Sequence, residues 1–203
     1  MIYKNYFKNL LDYILGFLLL IFFSPIIIII YLILSYKIGS PIFKQKRPGL
    51  NNKPFTLYKF KTILDKNCKN FNKNKRYFKL GHALRTSGLD ELPQLINILK
   101  GELSIIGPRP LRMKYLKIKS FKTHLRRKCK PGITGLAQIE NYYNDKKKIK
   151  QKWKINFKLD EYYYYNLSFI LDLKILFLTF VKVISFSKDD FINEPKLLAD
   201  DLK

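Results

Sequence analysis

YILGFLLLIFFSPIIIIIYLIL, from Tyr13 to Leu34, runs for twenty-two residues without a charged side chain. About 20 apolar residues carry a helix across a hydrocarbon core, so the stretch predicts a membrane helix retained in the mature chain. A cleaved signal peptide would show a shorter apolar core and a small-residue cleavage site. Ser24-Pro25 interrupts the run at its middle, where proline removes a backbone donor and crowds the preceding turn. Lys4 and Lys8 precede the run, and Lys37, Lys44, Lys46 and Arg47 follow it. Positive charge favours the cytoplasmic side, and here both flanks claim it. Two arrangements satisfy these residues: a helix broken at Ser24-Pro25 that enters and leaves by one face, and a single proline-kinked span. The residues alone leave both standing. Lys8 and Asp12, four apart on one helix face, can pair at the point of entry and pin the depth of the helix.

Outside this run the chain is strongly basic. Its 203 residues carry 39 Lys and Arg against 15 Asp and Glu, a formal charge of +24. Such a balance points to an anionic partner: nucleic acid, an anionic bilayer or a phosphorylated substrate. Only seven of the basic residues are Arg, and Asn, Ile, Tyr and Phe are abundant, so part of the lysine excess reflects composition rather than recognition. Sixteen Phe and fourteen Tyr exclude a disordered tail. Cys68, Cys129, His82 and His124 are too few and too scattered for a zinc site. No Walker or Rossmann glycine loop is present, and no internal repeat.

Two apolar-aromatic runs, around Ile42-Phe43 and Phe55–Phe60, flank the turn-rich RPGLNNKP and predict a β-hairpin. Asp65–Lys79 is polar and aperiodic and reads as a loop. In LRTSGLDELPQLINILKGELSIIGPRPL (84–111), Leu89, Leu92, Leu95-Ile96 and Leu99 recur at helical spacing up to Gly101. Asp90 and Glu91 fall in or just before the first turn, with Pro93 early in the helix, where it is tolerated. Two adjacent carboxylates there suit the helix dipole, or a Mg²⁺ ion that completes its shell with substrate phosphates. In GPRP (107–110) two prolines flank Arg109; a guanidinium held that rigidly suits bidentate contact with phosphate, and an ordinary surface turn is the plainer alternative. LSFILDLKILFLTFVKVISF (167–186) is apolar but carries Asp172, Lys174 and Lys182. Asp172, Thr179 and Lys182 share a helical face, as in a helix lying in a membrane interface; a core-packing helix fits almost as well. Tyr162–Tyr165 before it reads as an aromatic belt.

Taken in order, these stretches resemble the monotopic phosphoglycosyl transferases, a family of bacterial sugar transferases. The resemblance rests on Lys8, Asp12 and Ser24-Pro25, on KQKRPGLNNKPFTLYKFKT (44–62), LDELPQLINILKGELSIIGPRPL (89–111), KPGITGLAQ (130–138) and FKLDEYYYYNLSFILDLKILFLTF (157–180). LDELPQL followed at this distance by GPRPL is its most specific part. Within the family the chain is similar to small, catalytic-core-only members that act on UDP-diacetylbacillosamine. The resemblance implies a mainly α fold with a small β-hairpin, amphipathic interfacial helices, a re-entrant membrane helix (1–38) broken at Ser24-Pro25 and a compact cytosolic catalytic domain (39–203). It implies transfer of a phospho-sugar from a UDP-sugar to polyprenyl (undecaprenyl) phosphate with release of UMP, an early membrane step of bacterial glycan assembly. Asp90 would be the nucleophile, forming an aspartyl-phosphosugar; Glu91 would join it in holding Mg²⁺. Lys59, Arg85 and Arg109, the last framed by Pro108 and Pro110, would meet the phosphates. The expected place is the cytoplasmic face of the inner membrane, among its phospholipids, with no nucleic-acid partner; a homodimer is left open.

Several positions depart from the family pattern. Lys61, Glu102 and Leu136 replace a frequent Arg, Asp and Trp. After GLAQ the usual V-N-G-R-N stretch is replaced by IENYYN (139–144), and KKKIKQK (146–152) lengthens the loop. That change bears on donor specificity and leaves an inactive homologue as one competing reading. A membrane-anchored basic binding protein is another, but it gives no reason for Asp90-Glu91 beside GPRP.

Overall fold

The computed structural model describes residues 3–69, 76–139 and 149–184. One helix, α1 (Lys8–Ile38), takes up the apolar run, entered through a π-helical turn at Tyr3–Phe7. Helical conformation continues through Ser24-Pro25. Pro25 has no N–H to offer the Ile21 carbonyl, and the Ser24 hydroxyl donates to that oxygen instead, at 2.7 Å. The structure thus has one replaced backbone bond at this point inside a continuous helix.

A single stripe of α1 is buried. It runs through Lys8, Asp12 and Gly16 to Ile30, Leu34 and Ile38, with Leu19, Leu20 and Ile27 half-buried between. Phe17, Leu18, Ile21, Phe22, Ile28, Ile29 and Leu32, on the other faces, are exposed. Both halves of the helix therefore rest on the rest of the chain.

The expected hairpin forms: β1 (Ile42–Pro48) pairs antiparallel with β2 (Pro54–Phe60), from Ile42 opposite Phe60 to Pro48 opposite Pro54. Asn51 and Asn52, with positive φ, make its turn, a conformation asparagine tolerates better than most residues. After a stretch with one isolated bridge, Ile63 to Tyr77, comes α2 (Lys79–Ser87). The helix expected over Leu89–Leu99 is two pieces, a 3-10 turn at Leu89–Gln94 and α3 (Leu95–Leu99). Pro93 inside it cannot donate to the Leu89 carbonyl, which disfavours a regular α ladder there. Beyond Gly101, β3 (Ser104–Ile106) pairs in parallel with β4 (Gly132–Thr134). This second pair was not expected, since three-residue strands leave no periodicity to read.

Short helices α4 (Lys119–Thr123) and α5 (Leu136–Ile139) precede the two long ones, α6 (Ile149–Asn166) and α7 (Phe169–Ile184). Strand β2 links two apolar clusters. Phe55 and Leu57 join Leu95, Ile98, Leu103, Leu159, Tyr163 and Ile175, whereas Phe60 joins Ile30, Leu34, Ile38, Leu64 and Leu84. Full burial of one such Leu or Ile side chain contributes about 1.5–3 kcal/mol.

Helix α7 has its polar residues inward and much of its apolar surface outward. Asp172 is buried, Thr179 Oγ1 lies 2.8 Å from Thr134 Oγ1, and Lys182 donates to the Ile139 carbonyl. Phe169, Ile170, Leu173, Phe177 and Phe180 are exposed, while Leu171 and Ile175 enter the core. The tyrosine run is not a uniform belt: Tyr163 is a core residue and Tyr165 is exposed. The Lys8–Asp12 pair forms, at 3.2 Å, as a buried unit. Lys8 also reaches Asp172 at 3.0 Å, and Asp12 accepts from Ser104 Oγ at 2.7 Å and from the Ile105 N–H at 3.1 Å. The 140–148 part of the altered loop, and Ser185-Phe186 at the end of the apolar stretch, lie outside the described residues.

Candidate active site

Gly88 separates α2 from the 3-10 turn at a φ of +74°. A side chain would meet open space there, so the left-handed backbone, not crowding, calls for glycine. The turn delivers Asp90 into a buried position and Glu91 into a half-buried one beside it. Burial raises the affinity of the Asp90 carboxyl for a proton, and the Glu91 charge adds to this; Lys59 and Arg85 pull it back.

The two carboxylates are set against β2 by Asn97. Its side chain is fully buried and uses both ends: Nδ2 donates to the Thr56 carbonyl and to Glu102 Oε2, each at 2.7 Å, and Oδ1 accepts from the Tyr58 N–H at 3.2 Å. The next residue along β2 is Lys59, whose Nζ donates to Glu91 Oε1. Glu102, the family departure, is thus long enough to reach the amide that holds the turn in place.

Arg109 arrives from the opposite side. Its Nη2 stands 3.8 Å from Glu91 Oε1, and its side chain is half exposed. The backbone beneath it is held at each residue. The Pro108 carbonyl accepts from the Gly132 N–H at 3.0 Å, the Arg109 carbonyl from Arg126 Nη2, and the Pro110 carbonyl from Arg47 Nη1 at 3.2 Å. Any Cβ on Gly107, Gly132 or Gly135 would collide with the facing backbone, which is why GPRP and KPGITG can lie main chain against main chain. Arg126 is itself fixed by a 3.2 Å pair with buried Asp160, whose carboxyl burial pushes up to about 6.

Next to Arg109 opens a cavity of about 230 Å³, with Arg47, Arg112, Tyr115, Trp153 and Asn156 among its walls. Burial, and then repulsion from Arg112 and Arg109, lowers the proton affinity of the Arg47 guanidinium. The buried Asn156 Oδ1 has no hydrogen-bond partner among the described residues. A recess this positive is built for an anion.

Of the residues expected from sequence, Asp90, Glu91, Lys59 and Arg109 come together, and Arg85 reaches Asp90 through its charge. Pro108 and Pro110 frame the arginine as expected. Lys8, Asp12, Ser24 and Pro25 belong to α1. Asn97, Arg47, Arg112, Arg126 and Asp160 were not anticipated. Asn97 left a trace, a polar residue inside the apolar LINIL; Arg126 and Asp160 are thirty-four positions apart and left none. Among the described residues no three His, Cys, Asp or Glu gather as a metal cage. Asp90 and Glu91 still fit Mg²⁺, which takes one or two carboxylates and fills its shell with phosphate oxygens and water.

Residues 3–186 match the model of one family, bacterial sugar transferase. The chain belongs to that family. This sugar transferase is 48% identical over 181 residues to the uncharacterized sugar transferase EpsL of Bacillus subtilis, covering 87% of each chain. It is 38% identical over 187 residues to the UDP-glucose:undecaprenyl-phosphate glucose-1-phosphate transferase of Klebsiella pneumoniae, covering 87% of this chain and 40% of that protein. With the exopolysaccharide production protein ExoY of Sinorhizobium fredii it shares 30% identity over 193 residues, 85% of this chain and 83% of the other. Of the motifs quoted above, 44–62, 89–111 and 130–138 supply Lys59, Asp90, Glu91, Arg109 and the backbone packed beneath them.

Proposed function

We propose that this sugar transferase moves a phospho-sugar from a UDP-sugar to undecaprenyl phosphate at the cytoplasmic face of the inner membrane. One observation carries the reading: Asp90 and Glu91 are gathered with Lys59 and Arg109 at a single point, beside a cavity lined by further arginines. Relatives named for this class of reaction, with UDP-glucose as donor, support it.

An Asp90 oxygen attacks the β-phosphorus of the donor, the bond to the bridging oxygen breaks, and UMP leaves. A phosphate oxygen of the lipid acceptor then attacks the same phosphorus and Asp90 is released. The two half-reactions share one site, so ping-pong kinetics are expected. A carboxylate approaching an anionic phosphate is repelled, and Lys59 and Arg109 offset that repulsion where charge develops. Arg85 and Lys59 also oppose the effect of burial, which favours the protonated form of Asp90. Mg²⁺, held by Asp90 and Glu91 with the substrate phosphates, would add Lewis-acid stabilisation of the phosphoryl oxygens. Arg47 and Arg112 receive the nucleotide diphosphate, with Tyr115 and Trp153 offering flat faces to the base.

The acceptor phosphate lies at headgroup level, so the site must stay at the membrane surface. In the re-entrant, monotopic arrangement, α1 stays helical but kinks at Pro25, where its hydrogen-bond ladder is already interrupted, so that both ends return to one face. The burial of both its halves against one body favours this over a span, because crossing would carry one half away. The outward apolar face of α7 suits the same interface.

The test is UMP release by the purified protein with Mg²⁺, undecaprenyl phosphate and a panel of UDP-sugars that includes glucose, GlcNAc, GalNAc, galactose and diacetylbacillosamine. Wild type releases UMP with one donor and names the sugar. Asp90→Asn should lose at least about a thousandfold, since no oxyanion is left to attack. An Asp90→Asn protein as active as wild type would remove Asp90 from the chemistry.

A further inference from the structure

A second and larger cavity, of about 440 Å³, opens at the N-terminal end of α1 and includes none of the residues of the Asp90 site. We propose that it binds the phosphate of an anionic phospholipid headgroup. Four lysines line it, Lys4, Lys8, Lys128 and Lys130, with Asp12 the acidic residue among its walls. That carboxylate is already committed to Lys8, the Ser104 hydroxyl and the Ile105 N–H. Lys8 is committed in turn to Asp12 and Asp172. The remaining three ammonium groups leave the recess positive.

Two of them share an aromatic neighbour: Lys4 Nζ stands 3.4 Å from the Tyr164 ring centroid and donates to the Tyr164 carbonyl at 3.4 Å, and Lys128 Nζ stands 5.7 Å from the same centroid. Lys130 is half-buried, and desolvation followed by the Lys8 charge lowers its hold on a proton, with Asp12 acting the other way. A hollow whose walls carry four lysines and one aspartate attracts an anion. A phosphate is an anion of the right size and strength, whether it comes as a lipid headgroup or free in solution.

The surroundings favour the lipid. The cavity also includes Tyr6 and Leu167 among its walls. Exposed Phe7 and Leu10 flank Lys8 at the start of the apolar helix, and exposed Phe169 lies against Tyr3, ring centroids 6.0 Å apart. A headgroup phosphate seated among the lysines would leave its chains along these apolar surfaces, as in membrane sites that pair basic residues with aromatic anchors. The inference rests on α1 lying in a bilayer and not on the transferase chemistry.

The full-length protein in mild detergent is titrated with phosphatidylglycerol, and retained lipid is counted by native mass spectrometry. Wild type should hold one tightly bound molecule. K4Q/K128Q/K130Q should weaken binding by roughly tenfold or more. K4R/K128R/K130R should keep it, which separates loss of charge from loss of fold. K117Q/K119Q/K122Q, which removes the same charge from exposed lysines elsewhere, should keep it too. Equal binding by wild type and the first variant would overturn the site, as would equal loss in both glutamine variants. Displacement of the lipid by millimolar inorganic phosphate would reassign it to a free anion. Displacement by an equal amount of undecaprenyl phosphate would reassign it to the acceptor.

Discussion

Asp90 has two demands on it. The proposed chemistry needs an ionised carboxylate, yet burial makes ionisation harder and Glu91 adds to the cost. Lys59 and Arg85 oppose both effects, which gives these two residues a role before any substrate binds. In the metal-free protein, ¹³C-detected titration should place the Asp90 midpoint above the ordinary ~3.9 of an aspartate. Lys59→Gln should move it higher still, because the largest opposing charge is gone. A midpoint that falls in that variant would contradict the arrangement. The sign carries over to stability. A carboxyl whose folded pKa is raised holds its proton more tightly in the native chain. Its contribution to stability is therefore greatest below the unfolded value and declines as pH rises through the folded one.

At the level of elements, the site depends on how a 3-10 turn is fastened to a strand. Asn97 does this with three hydrogen bonds from a side chain that no solvent reaches. Asn97→Ala would strand the Thr56 carbonyl, the Tyr58 N–H and a Glu102 oxygen together. The expected cost is about 2–4 kcal/mol in a denaturant melt, with a fall in transferase activity as Glu91 shifts from Lys59. A variant as stable as wild type would show that the turn is held by its apolar contacts alone. The polar position inside LINIL could be seen in the sequence, but its partners on β2 could not, because they lie about forty residues earlier. Proline at 93 was legible as a residue tolerated early in a helix, and its missing N–H to the Leu89 carbonyl accompanies a 3-10 turn in place of the first α turn.

Across the whole molecule, the long apolar helix and the rest of the chain form one unit. The buried charges Lys8, Asp12 and Asp172 tie α1 to α7 and β3. Removing one member of such a group leaves an uncompensated charge and costs about 3–5 kcal/mol. Lys8→Met should therefore destabilise the protein strongly in thermal unfolding. The double variant Lys8→Met/Asp172→Asn should recover part of the loss, because one of the two stranded carboxylates is gone. Strictly additive effects would mean that the contact carries no coupling. The re-entrant path makes its own prediction. Tyr6, in the turn just before α1, and Tyr36, near the other end of the helix, are both well exposed. In cells, Tyr6→Cys and Tyr36→Cys should both resist an impermeant thiol reagent until the inner membrane is opened. Labelling of Tyr6→Cys in intact cells would establish a span instead. Both native thiols, Cys68 and Cys129, are buried and unpaired, which keeps the background low.

The long apolar helix, the hairpin, the carboxylate pair and the rigid arginine turn were all determined by local sequence: an uncharged run, a turn flanked by aromatics, a helix start and two prolines around one arginine. These depend on residues close in the chain, where periodicity and backbone chemistry act directly. Tertiary structure alone decided the rest. It joined Lys59 to Glu91 and Arg126 to Asp160, put Asp172 beside Lys8, and turned the polar face of α7 inward. Each of these is a meeting of charges or amides far apart in sequence. Such groups can be buried only if they find one another, and no local pattern records which partner they find.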